Sequence, residues 1–130
     1  MRTELIEKNP LLKLSMAFSL EMIDYCKKLN EHKKFVISKQ LLRSATSIGA
    51  NSMEAQNPES KADFIPKMKV AAKEACETQY WLILCEQSHG YPLPSGLLNK
   101  LEELNRILGS IISTANRKMP FSYLLSLFIF

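Results

Sequence analysis

Between Ser44 and Ala55, eight of twelve residues are Gly, Ala, Ser or Thr, no Pro interrupts, and Leu41, Ala45, Ile48, Ser52 and Ala55 keep the three-and-four step of a single helix face. A helix this thin lets a neighbouring backbone come close, so the chain is committed to packing helix on helix. The partner this predicts is the segment from Glu74 to Leu82. A second stripe on the thin helix, Arg43, Ser47, Asn51 and Glu54, lies along another face and offers hydrogen bonds to a neighbouring helix.

Three further periodic runs accompany it. Leu11, Leu14, Phe18, Met22, Tyr25 and Leu29 predict a helix over 10–29, with Pro10 suited to its first turn. Ser38 is the expected cap of the thin helix, over 38–56, which Asn57 and Pro58 then stop. Phe64, Met68, Ala71, Ala75, Thr78, Leu82 and Cys85 predict a long helix over 61–88. Its start lies at Ser60, which implies a kink at Pro66, or at Asp63, which places Pro66 in the first turn. The end of this helix, Tyr80 to Cys85, is apolar all round, so it is either central or covered by another subunit. Leu97, Leu101, Leu104, Leu108, Ile111 and Ala115 predict a last helix over 95–118. The expected fold is all-α: one domain over 1–120, an antiparallel up-down-up-down four-helix bundle, followed by an apolar, uncharged tail over 121–130 that packs on the bundle or on a neighbouring subunit.

Charge is concentrated. From Lys27 to Arg43 six basic residues stand against Glu31, a balance of +5, while the chain as a whole carries +4 and its remainder therefore −1. Such a zone suits phosphate, and Lys27, Lys28, Lys33, Lys34 and Lys39 are the candidate nucleic-acid-binding residues, with Lys69, Lys73, Arg117 and Lys118 as further contributors. The competing reading is a solvated loop between two helices. Three cysteines, an odd number, fit a reduced, cytoplasmic protein. Met1 to Lys8 has acidic residues and no long apolar run, so no secretory leader is expected, and no segment is long enough for a membrane span.

Catalytic chemistry finds little support. Arg43, Asn51, Glu54, Glu74 and Glu77 form a dense polar set, but no Glu-x-x-His pair accompanies them, and Cys76 and Cys85 cannot converge on one ion from a single helix. Neither a metal nor a cofactor is expected. No histidine follows an arginine at the spacing of helical-bundle nucleases, Ser47 has no His to activate it, and Gly49 and Gly109 fall inside helices, where close packing explains them. Arg43 is expected to bond Glu77 or Glu54 and fix how two helices register, within or between subunits. Tyr80 and Trp81 suit a core or subunit interface better than base stacking.

Taken together, the run from Arg43 through Ile48, Asn51 and Glu54 to Ala55, then Asp63 and Phe64, then Ala72 to Leu82 resembles the four-helix-bundle proteins encoded in intervening sequences of bacterial 23S rRNA genes. The likeness covers about Phe18 to Ala115. That family is similar in turn to the accessory variability protein of diversity-generating retroelements, a pentameric barrel that contacts nucleic acid and reverse transcriptase through basic surface. The resemblance implies a bacterial, ring-like homo-oligomer, a pentamer, that binds RNA or DNA. The expected function is non-enzymatic binding of nucleic-acid backbone; the alternative is a protein-interaction adaptor, for instance to a reverse transcriptase.

Overall fold

A computed structural model describes residues 2–118, so the tail over 121–130 lies outside the described residues. The described chain is helical, with no strand: α1 (Arg2–Lys8), α2 (Pro10–Glu31), α3 (Phe35–Ala55), a 3₁₀ segment (Pro58–Asp63), α4 (Phe64–Gln87) and α5 (Leu97–Lys118). α3 packs against α2 and α4, and α5 against α4 and α2, so the four long helices share one core.

The start of α2 is determined by Asn9. Its side-chain oxygen accepts from the amides of Leu11 and Leu12 at 3.0 and 3.2 Å, and Pro10 takes the first helical position, where its missing donor costs nothing. The same residue closes α1, its amide donating to the Leu5 carbonyl. This short first helix is absent from the sequence expectation, because seven residues hold too few apolar positions to show a period. α2 then buries Leu11, Phe18, Met22 and Leu29 on the stripe that the spacing predicts.

α2 ends in a Schellman turn: the Lys33 amide donates to Asn30 O and the Lys34 amide to Leu29 O, with Lys33 in the left-handed region at φ 60. Because this turn is so tight, α3 begins at Phe35 and not at the Ser38 expected to cap it. Lys34 precedes α3 and makes no side-chain cap bond. Ser38 lies inside the helix and buried, where its hydroxyl donates to Cys26 O at 3.2 Å while the Cys26 thiol donates to Ser38 O.

After α3, the Asn57 side chain accepts from the Glu59 amide and the 3₁₀ segment carries the chain to Phe64. α4 therefore starts just past Asp63, which leaves Pro66 in the first turn with no kink required, although the Asp63 carboxylate itself caps nothing. α4 is not central: Cys76, Tyr80 and Ile83 on one face are exposed. Gly96, at φ 79, turns the chain into α5, which buries Leu97, Leu101, Leu104 and Leu108.

The thinness of α3 is used where it meets α2. A Cβ added at Gly49 would stand 3.3 Å from the Ser15 Cβ, closer than such atoms ordinarily sit. An open apolar groove of about 230 Å³ runs beside this contact, lined by Ile6, Leu12, Met16, Ala50 and Met53 among others. Gly109 has nothing within 4 Å, so close packing does not account for that glycine.

Candidate nucleic-acid interface

Two charged regions emerge from this fold, and the first is built by the Schellman turn. Lys27 and Lys28 stand on the last turns of α2, Lys33 and Lys34 form the turn itself, and Lys39 lies on the second turn of α3. The turn thus gathers all five predicted lysines at one end. Among the described residues none of the five joins an ion pair, whereas Lys67, Lys100, Arg43 and Arg106 each meet a carboxylate elsewhere. With no side-chain cap on α3, its first amides also face this end and add positive potential.

The loop between α4 and α5 is anchored at the same end. The buried Tyr25 hydroxyl donates to Pro92 O at 2.6 Å. Burial, and next its hydrogen bond with Cys85, pushes the Tyr25 phenol far above its ordinary value, so the proton stays on the donor. That anchor brings Tyr91 beneath Lys34, whose ammonium lies 4.8 Å from the ring centroid. Beneath them the Cys26 thiol is also pushed up by burial, with the Ser38 hydrogen bond acting in the other direction. Lys73 and Arg117 do not belong here: at about 1.5 Å per residue they stand about 20 Å along α4 from Gln87 and about 30 Å along α5 from Leu97. Arg117 donates to its neighbour Thr114 instead. Lys69 lies farther still along α4, and Lys118 closes α5.

The second region is the seam between α3 and α4. Arg43 bonds Glu77 and, at 3.3 Å, Glu74, while the Trp81 indole donates to the same Glu77 oxygen that Arg43 holds, at 3.2 Å. Between the two helices the buried Thr78 hydroxyl donates to Ser44 Oγ at 2.9 Å. Glu54 does not join Arg43; it pairs with Lys67 at 2.7 Å and lifts that ammonium above its ordinary value. The two ends of the polar stripe, Arg43 and Glu54, thus bond α4, whereas its middle members do not reach another helix. The Ser47 hydroxyl donates to Arg43 O and the Asn51 amide to Ser47 O, one turn back on their own helix. Tyr80 stacks edge-on against Trp81, with centroids 5.4 Å apart, and is itself 59% exposed.

No group of three or more His, Cys, Asp or Glu among the described residues could hold a metal ion, and no described helix is long and apolar enough to cross a membrane. The three cysteines are unbridged, Cys26 and Cys85 buried and Cys76 exposed.

A family model for the 23S rRNA-intervening sequence protein matches residues 7–110 of this chain. The fold is also similar to the crystal structure of a protein of unknown function from the S23 ribosomal protein family of Bacteroides thetaiotaomicron, at 44% identity and a TM-score of 0.73, covering 78% of this chain and 97% of that one. No curated protein matches.

Proposed function

The chain belongs to the 23S rRNA-intervening sequence protein family, and from that membership we propose a non-enzymatic nucleic-acid-binding protein whose basic end, Lys27, Lys28, Lys33, Lys34 and Lys39, holds phosphate backbone. The observation that carries this reading is the gathering of those five lysines around one turn, none with a carboxylate partner among the described residues. Unpaired ammonium groups gathered at one end release counterions when phosphates replace solvent, giving affinity and salt dependence before sequence choice.

The bundle is antiparallel, up-down-up-down. In support, Arg43 and Ser44 meet Glu77 and Thr78 while the later Glu54 meets the earlier Lys67, the pairing of helices that run in opposite directions. It assembles as a ring-like homo-oligomer, a pentamer by its resemblance to the accessory variability protein, in a reduced bacterial cytoplasm. Exposed Cys76, Tyr80 and Ile83 on α4 supply an apolar face for a neighbouring subunit, and a ring multiplies modest lysine patches through avidity. A second reading, an adaptor for a protein such as a reverse transcriptase, is favoured by another bare stripe, Met16, Leu20 and Ile23 on α2.

Fluorescence polarisation with generic RNA and DNA across a salt series tests the proposal, comparing the wild type with a Lys27/Lys28/Lys33/Lys34→Glu variant checked for folding and assembly by light scattering. Affinity that falls steeply with salt and vanishes in the variant is the expected result. No binding by the wild type at low salt would overturn it and favour the adaptor.

A further inference from the structure

The basic end carries more than charge. Phe35, the first residue of α3, is 59% exposed and Val36 is 76% exposed, directly after Lys33 and Lys34. An apolar ring displayed among cations does not help fold the protein, and each neighbour of Phe35 is fixed by something else. Lys34 is drawn over Tyr91, and Tyr91 is held by the Tyr25 to Pro92 hydrogen bond. Lys33 occupies the left-handed region that glycine fills at no steric cost, so this turn keeps a cation where a glycine would relax it. Together Lys33, Lys34, Phe35, Val36, Ile37 and Tyr91 line an open hollow of about 220 Å³ that contains two lysines and no acid. The hollow beside Lys28 and Leu93 differs, because Glu21 and Asp24 line it as well.

We propose that this hollow takes an unpaired base of a single-stranded nucleic acid, stacked on the Phe35 ring, with Lys33 and Lys34 on the flanking phosphates. This rests on the backbone-binding reading above and deepens it. The chemistry distinguishes strands. A base in a duplex shows only its edge to a protruding ring, whereas an unpaired base offers its face, and stacking is indifferent to which base it is. Lys34 lies over one face of Tyr91 and the ring itself is partly buried against the core, so Phe35 is the exposed ring able to stack. Charge supplies affinity for either strand form, and Phe35 supplies the preference.

The test measures polarisation of a 20-nucleotide poly-uridine and of a duplex of the same length at matched salt, for wild type, Phe35→Ala and Phe35→Trp. Wild type should favour the single strand. Phe35→Ala should lose roughly tenfold on the single strand, with the duplex affinity and both salt slopes unchanged, and Phe35→Trp should restore it. Phe35 is solvent-exposed, so both variants should keep the wild-type melting temperature. If Phe35→Ala leaves single-strand affinity unchanged, or weakens both forms equally, the stacking site is overturned while backbone binding stands. If neither oligonucleotide binds at low salt, the backbone reading itself has failed. Co-sedimentation with phosphatidylserine vesicles that depends on Phe35, in a protein that binds no oligonucleotide, would assign the same exposed ring to a membrane surface and overturn the proposal.

Discussion

At the seam between α3 and α4, Arg43 reaches Glu74 and Glu77, Lys67 reaches Glu54, and a hydroxyl pair, Thr78 and Ser44, is buried between them. At the turn between α2 and α3, five lysines within thirteen positions reach no carboxylate among the described residues. Both regions are charged, but the seam spends its charge on registering two helices and the turn leaves its charge to solvent. Small residues explain the seam. Ala45, Ala71 and Ala75 are fully buried, so the helices come close enough for side chains at the rim to bridge them. A tight turn explains the clustering, since it brings Lys27 and Lys28 at the end of α2 and Lys39 at the start of α3 to the same end as its own Lys33 and Lys34.

The comparison predicts that the two regions fail differently. Reversing Lys27, Lys28, Lys33 and Lys34 to Glu should cut oligonucleotide affinity by at least about a hundredfold at low salt, with the melting temperature little changed, as befits exposed sites. Ala75→Leu should do the opposite. Its extra carbons enter a filled interior, so urea denaturation should show a loss of about 2–3 kcal/mol, while the folded fraction binds as before. Lys33→Gly joins both regions' behaviours in one residue: stability should rise by about 1 kcal/mol as the left-handed strain is relieved, and the salt slope on duplex DNA should fall by about 0.9. A loss of stability on that change would mean that Lys33 packs in a way its exposure denies. Arg43→Ala is the smallest of these. The guanidinium side chain is 49% exposed, solvent screens it, and the denaturation midpoint should show a cost of no more than about 1 kcal/mol.

How far the sequence foretold these regions depended on whether a feature repeats. The stripes of α2, α4 and α5 recur over many turns, and the buried Phe18, Met22, Ala75, Leu82, Leu101 and Leu104 all fall on them. Pro66 in the first turn of α4 was one of two legible options, and packing selected it. Single events were less legible. Ser38 looks like a cap because Ser usually caps, but the left-handed Lys33 lets α3 start three residues sooner and turns Ser38 into a stitch to Cys26. The polar stripe through Ser47 and Asn51 follows a helical period, yet short side chains on a helix find their own carbonyls before they reach a neighbour's. Arg43 and Glu54, being longer, were the members able to cross. At the basic end, the lysines stand out by number, while Phe35 gave no signal: only the position of the turn decides that this ring points outward rather than joining the stripe of α3.

The two helical glycines turn this distinction into the finest measurement. Sequence places Gly49 and Gly109 alike, each inside an amphipathic helix where alanine would gain up to about 1 kcal/mol from helix propensity alone. Gly109 faces open space, so Gly109→Ala should collect that gain, about 0.5–1 kcal/mol in urea. At Gly49 the same methyl meets the Ser15 Cβ at 3.3 Å, an atom fixed to the α2 backbone that cannot swing aside. The gain there should be cancelled or reversed, and the difference between the two variants measures how tightly α2 is drawn onto α3. Equal stabilisation at both sites would show that the helices part without cost, and that Gly49 is as incidental to the packing as Gly109.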